Sequence, residues 1–123
     1  MKLQANPSSA QHMVGAHGPG WVDVDGRRYR RSLLITPTAI DAEWGPDSVE
    51  ALAESHLAAL AGHHADVVLL GTGERQHFPP PQLLRPLIEA GIGVEVMDTA
   101  AACRTYNLLV AEGRAALAAL IID

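Results

Sequence analysis

Val67-Val68-Leu69-Leu70-Gly71-Thr72-Gly73 and Gly93-Val94-Glu95-Val96-Met97-Asp98-Thr99 are the two stretches that decide the fold. The first is continuously apolar over residues 67–70, the pattern of a strand covered on both faces, and Gly71-Thr72-Gly73 ends it. The second reads as another strand, with Thr99 placed to cap a helix running to about residue 111. Between them, Pro79-Pro80-Pro81 leads into a helix over 82–90 that Gly91 stops. Each strand is followed by a helix, so strands 67–70 and 94–97 are expected to be central, parallel neighbours. Gly113 ends the next helix. Residues 114–122 are assigned as a buried strand, although their alanines also suit a helix.

Working outward, Pro46-Asp47-Ser48 precedes an expected helix over 49–61, and Asp47 with Glu50 has capping-box spacing. Val49, Leu52, His56 and Leu60 fall on one face of it, beside Ala53 and Leu57. Further upstream the period changes to two. Trp21-Val22-Asp23-Val24 alternates, Asp25-Gly26 marks a hairpin, and residues 27–29 and 32–35 form the returning strand. Thr36-Pro37-Thr38 breaks that strand, and residues 39–44 read as a short extended piece. Residues 1–11 are polar and read as a flexible tail, leaving 12–123 as a single α/β domain with an N-terminal β-hairpin region.

The chain has 123 residues, 48% apolar and 19% charged, which is the composition of a globular protein that buries a core. Aromatics are 4%, so the core must be aliphatic. A net charge of −5 argues against general binding to nucleic acid or anionic membranes. The single cysteine, Cys103, excludes an internal disulfide framework. The longest apolar run, Ala115 to Ile122, is too short to span a bilayer, so no membrane insertion is expected. The opening residues show no signal peptide, and the expected compartment is the cytoplasm.

The C-terminal half resembles a known family. Val68-Leu69-Leu70-Gly71-Thr72-Gly73 is followed by Gly91-Ile92-Gly93-Val94-Glu95-Val96-Met97-Asp98-Thr99. Then come Ala102, Thr105-Tyr106-Asn107-Leu108-Leu109, Glu112-Gly113-Arg114 and Ala118-Ala119-Leu120-Ile121. This is similar to the domain-of-unknown-function family that includes the mitochondrial respiratory complex I assembly factor three and many small bacterial and archaeal proteins. The resemblance spans residues 12–122 and is specific over 68–121. It implies a three-layer α/β/α domain with a mixed central sheet whose last strand is the 114–122 segment. It implies no agreed enzymatic activity. The mitochondrial member carries a targeting segment. The absence here of an Arg-rich amphipathic start suggests a free-standing bacterial homologue.

Two constellations are candidates for function. Gly71, Thr72, Gly73, Asp98 and Thr99 should meet at the carboxyl edge of the parallel strands, where open α/β sheets bind ligands. The glycines would offer backbone N–H donors to a small anion or a partner's carboxylate, and the helix after Thr99 would add partial positive charge. The bland alternative is a tight turn beside a capped helix. Thr105, Tyr106, Asn107, Glu112 and Arg114 form an expected supporting network, with Tyr106 and Asn107 pairing with Glu112 or Arg114.

Other features read structurally. Cys103 lies among alanines without a neighbouring base and reads as buried and inert. The six histidines lack the i, i+4 spacing of a metal site, and His63-His64 suits a helix C-terminus, so neither metal nor cofactor is expected. Arg27-Arg28-Tyr29-Arg30-Arg31 is a basic cluster, read as a surface for an acidic protein partner or a solvated hairpin edge and not as a nucleic-acid site. The sequence thus favours a non-enzymatic interaction or assembly-factor-like module acting on a protein partner, such as a membrane or respiratory complex. The alternative is a small-molecule or anion-binding protein, or an enzyme, using the carboxyl edge.

Overall fold

In the computed structural model, residues 11–123 are described; the expected tail, apart from Gln11, lies outside them. The chain opens with a three-stranded antiparallel meander, β1 (Val14–Gly18), β2 (Trp21–Val24) and β3 (Arg27–Tyr29). The β2–β3 turn is Asp25-Gly26, with φ of 55° and 80°, as the hairpin signal predicts. β4 (Leu33–Ile35) and β5 (Ile40–Asp41) follow. Then come a 3₁₀ turn at Val49–Ala51, α1 (Glu54–Ala61), β6 (Val67–Thr72) and a second 3₁₀ turn at Pro81–Leu84. The chain finishes with α2 (Arg85–Glu89), β7 (Gly93–Met97), α3 (Thr99–Ala111) and β8 (Ala116–Ile121).

β4 to β8 form one mixed sheet in the order β5-β4-β8-β6-β7. β8 and β7 flank β6 in parallel, and β4 pairs antiparallel to β8. The sheet is the middle layer of three. Alternation along the strands divides the core into two halves. Leu33, Ile35, Leu69, Ala116, Ala118 and Leu120 face α3 and the meander. Leu34, Val68, Leu70, Leu117, Ala119 and Ile121 face α1, α2 and the 3₁₀ turns. Of the expected strand over 114–122, Ala116–Ile121 is strand, paired to β6 and β4 and buried throughout; Arg114 and Ala115 are exposed before it and Ile122 lies just past it.

The structure corrects several expectations. Residues 27–35 do not form one returning strand: β3 belongs to the meander and β4 to the mixed sheet. β7 is not central but an edge, and Glu95 is exposed on it. Of the extended piece expected over 39–44, only Ile40–Asp41 is strand. Trp44 turns inward, and its indole N–H donates to the His56 carbonyl at 3.0 Å.

The helix expected over 49–61 is broken at Leu52 and Ala53, whose ψ of 130° and 162° are extended. That break lets Leu52 reach the core. α1 then starts afresh, with His56 Nδ1 accepting from the Ala53 N–H at 2.9 Å in place of the expected Asp47–Glu50 box. The segment over 82–90 is likewise a 3₁₀ turn running into a short helix. Pro86 has no N–H to give the Gln82 carbonyl, which instead accepts from Arg85.

The expected Tyr106–Asn107 network with Glu112 or Arg114 does not form. The Tyr106 hydroxyl donates to the His12 carbonyl at 2.7 Å. The Asn107 side chain brackets Val14, accepting from its N–H at 2.9 Å and donating to its carbonyl at 2.7 Å. These two residues therefore seal the meander to α3. Glu112 and Arg114 sit exposed past the opposite end of that helix, and Thr105 is half-buried on it. Cys103 is fully buried, and burial pushes its thiol up to about 12. Burial also raises the Tyr106 phenol.

Two predictions follow from this packing. Leu69→Asp puts a charge without a partner into the α3-facing core and should cost about 3–5 kcal/mol, read by urea denaturation. A cooperative mutant of unchanged midpoint would refute that placement. For Cys103, a raised folded pKa means the folded state holds its proton longer than the unfolded one. Its share of stability is then intact below its ordinary 9.0 and is lost as pH climbs to about 12. Cys103→Ala should make the alkaline fall in chemical stability shallower, and thiol labelling of the native protein at neutral pH should be slow.

Candidate functional site

The three parallel strands β8, β6 and β7 end on the same edge of the sheet. α3 begins there, and its first turn is pulled down onto the strand ends by one residue. The Thr99 N–H donates to the Gly73 carbonyl at 2.8 Å. Its hydroxyl accepts from the Gly73 N–H at 2.8 Å and donates to the Ile121 carbonyl at 2.7 Å. Thr99 is thus not the helix cap expected from the sequence. Asp98 takes that role, its carboxylate accepting from the Ala101 N–H at 2.8 Å. The two adjacent residues divide the work because a cap must be extended, as Asp98 is at φ −67°, ψ 163°, while Thr99 is already helical.

Gly71 is required by close approach. A Cβ there would lie 2.9 Å from Thr99 Cα and 3.2 Å from the Ala102 methyl. Gly73 has φ +96°, and a Cβ there would meet the Asp123 carboxylate at 2.8 Å. Thr72 is buried, and its hydroxyl holds the following loop, donating to the Arg75 carbonyl at 2.6 Å and accepting from the His77 N–H at 3.0 Å. The structure therefore brings all five predicted edge residues together, but it corrects their chemistry. Gly71 packs, Thr72 pins, and the Gly73 N–H expected to face an anion is already taken by Thr99.

What remains open is a crevice of about 310 Å³ lined by Gly73, Asp98 and Thr99 from the predicted edge. Two parts of its wall were missed in the sequence. One is the β1–β2 turn, Gly18-Pro19-Gly20-Trp21, which the meander folds over the sheet edge. The other is Ile122-Asp123 beyond β8. Gly-Pro-Gly before an aromatic was the available signal for the first. The Trp21 indole lies where a side chain at position 18 would stand, since a Cβ on Gly18 would come within 2.7 Å of it.

The basic hairpin is partly neutralised. The Arg28 guanidinium lies 3.7 Å from the Trp21 ring and pairs with Asp23 at 2.8 and 3.1 Å. That pairing holds the Asp23 carboxyl below its usual range. Arg27 lies over Tyr29, and Arg30 and Arg31 are exposed beyond the strand. Among the described residues no group of three or more His, Cys, Asp or Glu is placed to hold a metal, and no helix is long and apolar enough to cross a membrane.

Comparison with known proteins places this arrangement in a wider set. A family model described as "Protein of unknown function (DUF498/DUF598)" matches residues 14–121. The bovine NADH dehydrogenase [ubiquinone] 1 alpha subcomplex assembly factor 3 is 32% identical over 121 residues, covering 97% of this chain and 65% of that protein. The chain thus spans just under two thirds of that relative's length. A protein named "13 kDa major membrane protein" from Francisella tularensis subsp. holarctica is 33% identical over 87 residues, covering 70% of this chain and 71% of its own. The crystal structure of a Bordetella parapertussis protein superposes with a TM-score of 0.88 at 41% identity, covering 95% of this chain and all of that one.

The Thr99 clasp gives a direct test. Thr99→Val leaves the Gly73 N–H and the Ile121 carbonyl without their partner and should cost about 2 kcal/mol by chemical denaturation. Thr99→Ser, which keeps the hydroxyl, should recover most of that loss.

Proposed function

The chain belongs to the DUF498/DUF598 family of proteins of unknown function, and from that premise we propose that it is a non-enzymatic, assembly-factor-like module. In this reading it docks a segment of a protein partner in the carboxyl-edge crevice. The observation that carries the reading is the state of the edge itself. The Gly73 N–H, the Thr99 hydroxyl and one Asp98 oxygen are all engaged in holding the fold. The Gly73 N–H, the donor that an oxyanion would need at the strand end, is taken by Thr99, and Cys103 is buried with its thiol proton held to about 12. An open recess remains between rigid elements, a suitable seat for a side chain.

The names of the relatives support the kind of partner. One is an assembly factor for a respiratory complex and one is a major membrane protein. The proposal accordingly has the chain act on a membrane-associated or respiratory assembly through protein contact, and it keeps the cytoplasmic compartment expected from the sequence. The alternative of a small anion at the edge is disfavoured by the occupied Gly73 N–H.

Ala100 lines the crevice from the first turn of α3 and is half-buried. Ala100→Phe fills the recess while leaving the Thr99 and Asp98 bonds in place. The Gly73 position is unsuited to the same purpose, because a side chain there is strained and collides with Asp123. The tagged wild-type protein should capture a discrete partner from native extract, and Ala100→Phe should lose it at an unchanged melting temperature. Equal capture by the two proteins, or saturable binding and turnover of a metabolite, would overturn the reading.

A further inference from the structure

The docking crevice has a chemical preference of its own. Its walls are largely apolar: Pro19 and Trp21 from the β1–β2 turn, Ala100 from α3, Ile121 at the end of the last strand and Ile122 just past it. Its charged lining is acidic, with Glu74, Asp98 and Asp123, and His17 is the one basic side chain among the lining residues. Asp98 is offset by the first turn of α3, which carries about half a positive charge and donates the Ala101 N–H to it. Glu74 and Asp123 have no such offset. Both are exposed, and neither has an ion-pair partner among the described residues. Arg75 and His77 border their outer side without pairing with them. Gly73 brings the Asp123 carboxylate over the strand end, because only a residue without Cβ leaves room for it.

A recess with apolar walls and carboxylates in its lining fits a side chain with a long aliphatic stem and a cationic head. At about 310 Å³ the recess is at the small end of ligand clefts, which run from about 300 Å³. That suits one extended side chain more than a broad surface. The nearby Arg28 does not oppose this, since Asp23 cancels its charge.

We propose that the crevice receives an arginine or lysine side chain from the partner segment, the stem against Trp21 and Ile122 and the head between Glu74 and Asp123. This rests on the docking reading above and adds the chemistry of the occupant.

The two tryptophans make the test internal. Trp21 lines the crevice, whereas Trp44 is buried against His56 in the other half of the core. Acetyl-Gly-Arg-Gly-amide and acetyl-Gly-Lys-Gly-amide are titrated into ¹⁵N-labelled protein, with the citrulline and glutamate tripeptides as neutral and acidic controls. The expected result is a saturable shift of the Trp21 indole cross-peak, with that of Trp44 fixed, for the arginine and lysine peptides. Citrulline should bind about tenfold more weakly. Glu74→Gln with Asp123→Asn should reduce arginine affinity by about the same factor at unchanged melting temperature, and added salt should weaken it further. Equal binding of citrulline or glutamate overturns the cationic preference and leaves the docking reading standing. No saturable shift with any peptide also overturns the preference, while the docking reading is then decided by the separate Ala100→Phe capture. Unchanged arginine affinity in the double variant overturns the assignment of the head to these carboxylates.

Discussion

The contact between Gly71 and Thr99 sets the spacing on which the rest of the structure depends. α3 can lie close on β6 only because position 71 has no side chain to hold it off. Once the helix is that near, the Thr99 hydroxyl reaches two strands at once, Gly73 after β6 and Ile121 in β8. The same closeness brings Ala102 and Cys103 into the core with Ala116, Ala118 and Leu120 of β8. A larger residue at 71 would lift the helix start, break the Thr99 bonds and widen the crevice beside it.

The other end of the clasp is as economical. Ser32 is buried at the start of β4, donating to the Pro46 carbonyl at 2.6 Å and accepting from the Ile122 N–H at 2.9 Å. β8 is thereby held at its exit by two hydroxyls, Thr99 from α3 and Ser32 from the residue just before β4. The residues just beyond, Ile122 and Asp123, are fixed where they help to wall the recess. At the strand ends Thr99 takes up the Gly73 N–H and the Ile121 carbonyl, and the chemistry proposed for that recess is drawn from its side chains.

Much of the architecture was legible because it rests on local patterns. The apolar run at 67–70 and the Gly91 and Gly113 stops fixed the parallel unit, and Asp25-Gly26 fixed its hairpin. The family resemblance settled the last strand, where alanine content alone pointed both ways. The failures share a cause: they needed tertiary information. Thr99 and Asp98 both suit a cap, and only the proximity of Gly73 and Ile121 assigns their roles. Leu52 breaks a helix that its periodicity favours because the core lies where an extended chain delivers it. The edge position of β7 shows in the exposure of Glu95, a polar residue the sequence reading passed over in a strand it expected to be covered. At the candidate site, five residues close in sequence to two strand ends were found. The β1–β2 turn that covers them was not, since nothing local ties residue 21 to residue 98.

Asn107 carries a consequence for the order in which the chain folds. Its side-chain amide gives Val14 both an acceptor and a donor, as a neighbouring strand residue would, across 93 positions of sequence. Tyr106 makes a similar reach of 94 positions to His12. Neither contact exists until α3 has formed and turned this side toward β1. The meander can close by itself through short turns, yet its docking must wait for α3 and for the closure of a loop of 93 positions. The strands of the meander, made before α3, are therefore late to reach their final neighbours, and until then the apolar face of Val14, Val22 and Val24 stands uncovered.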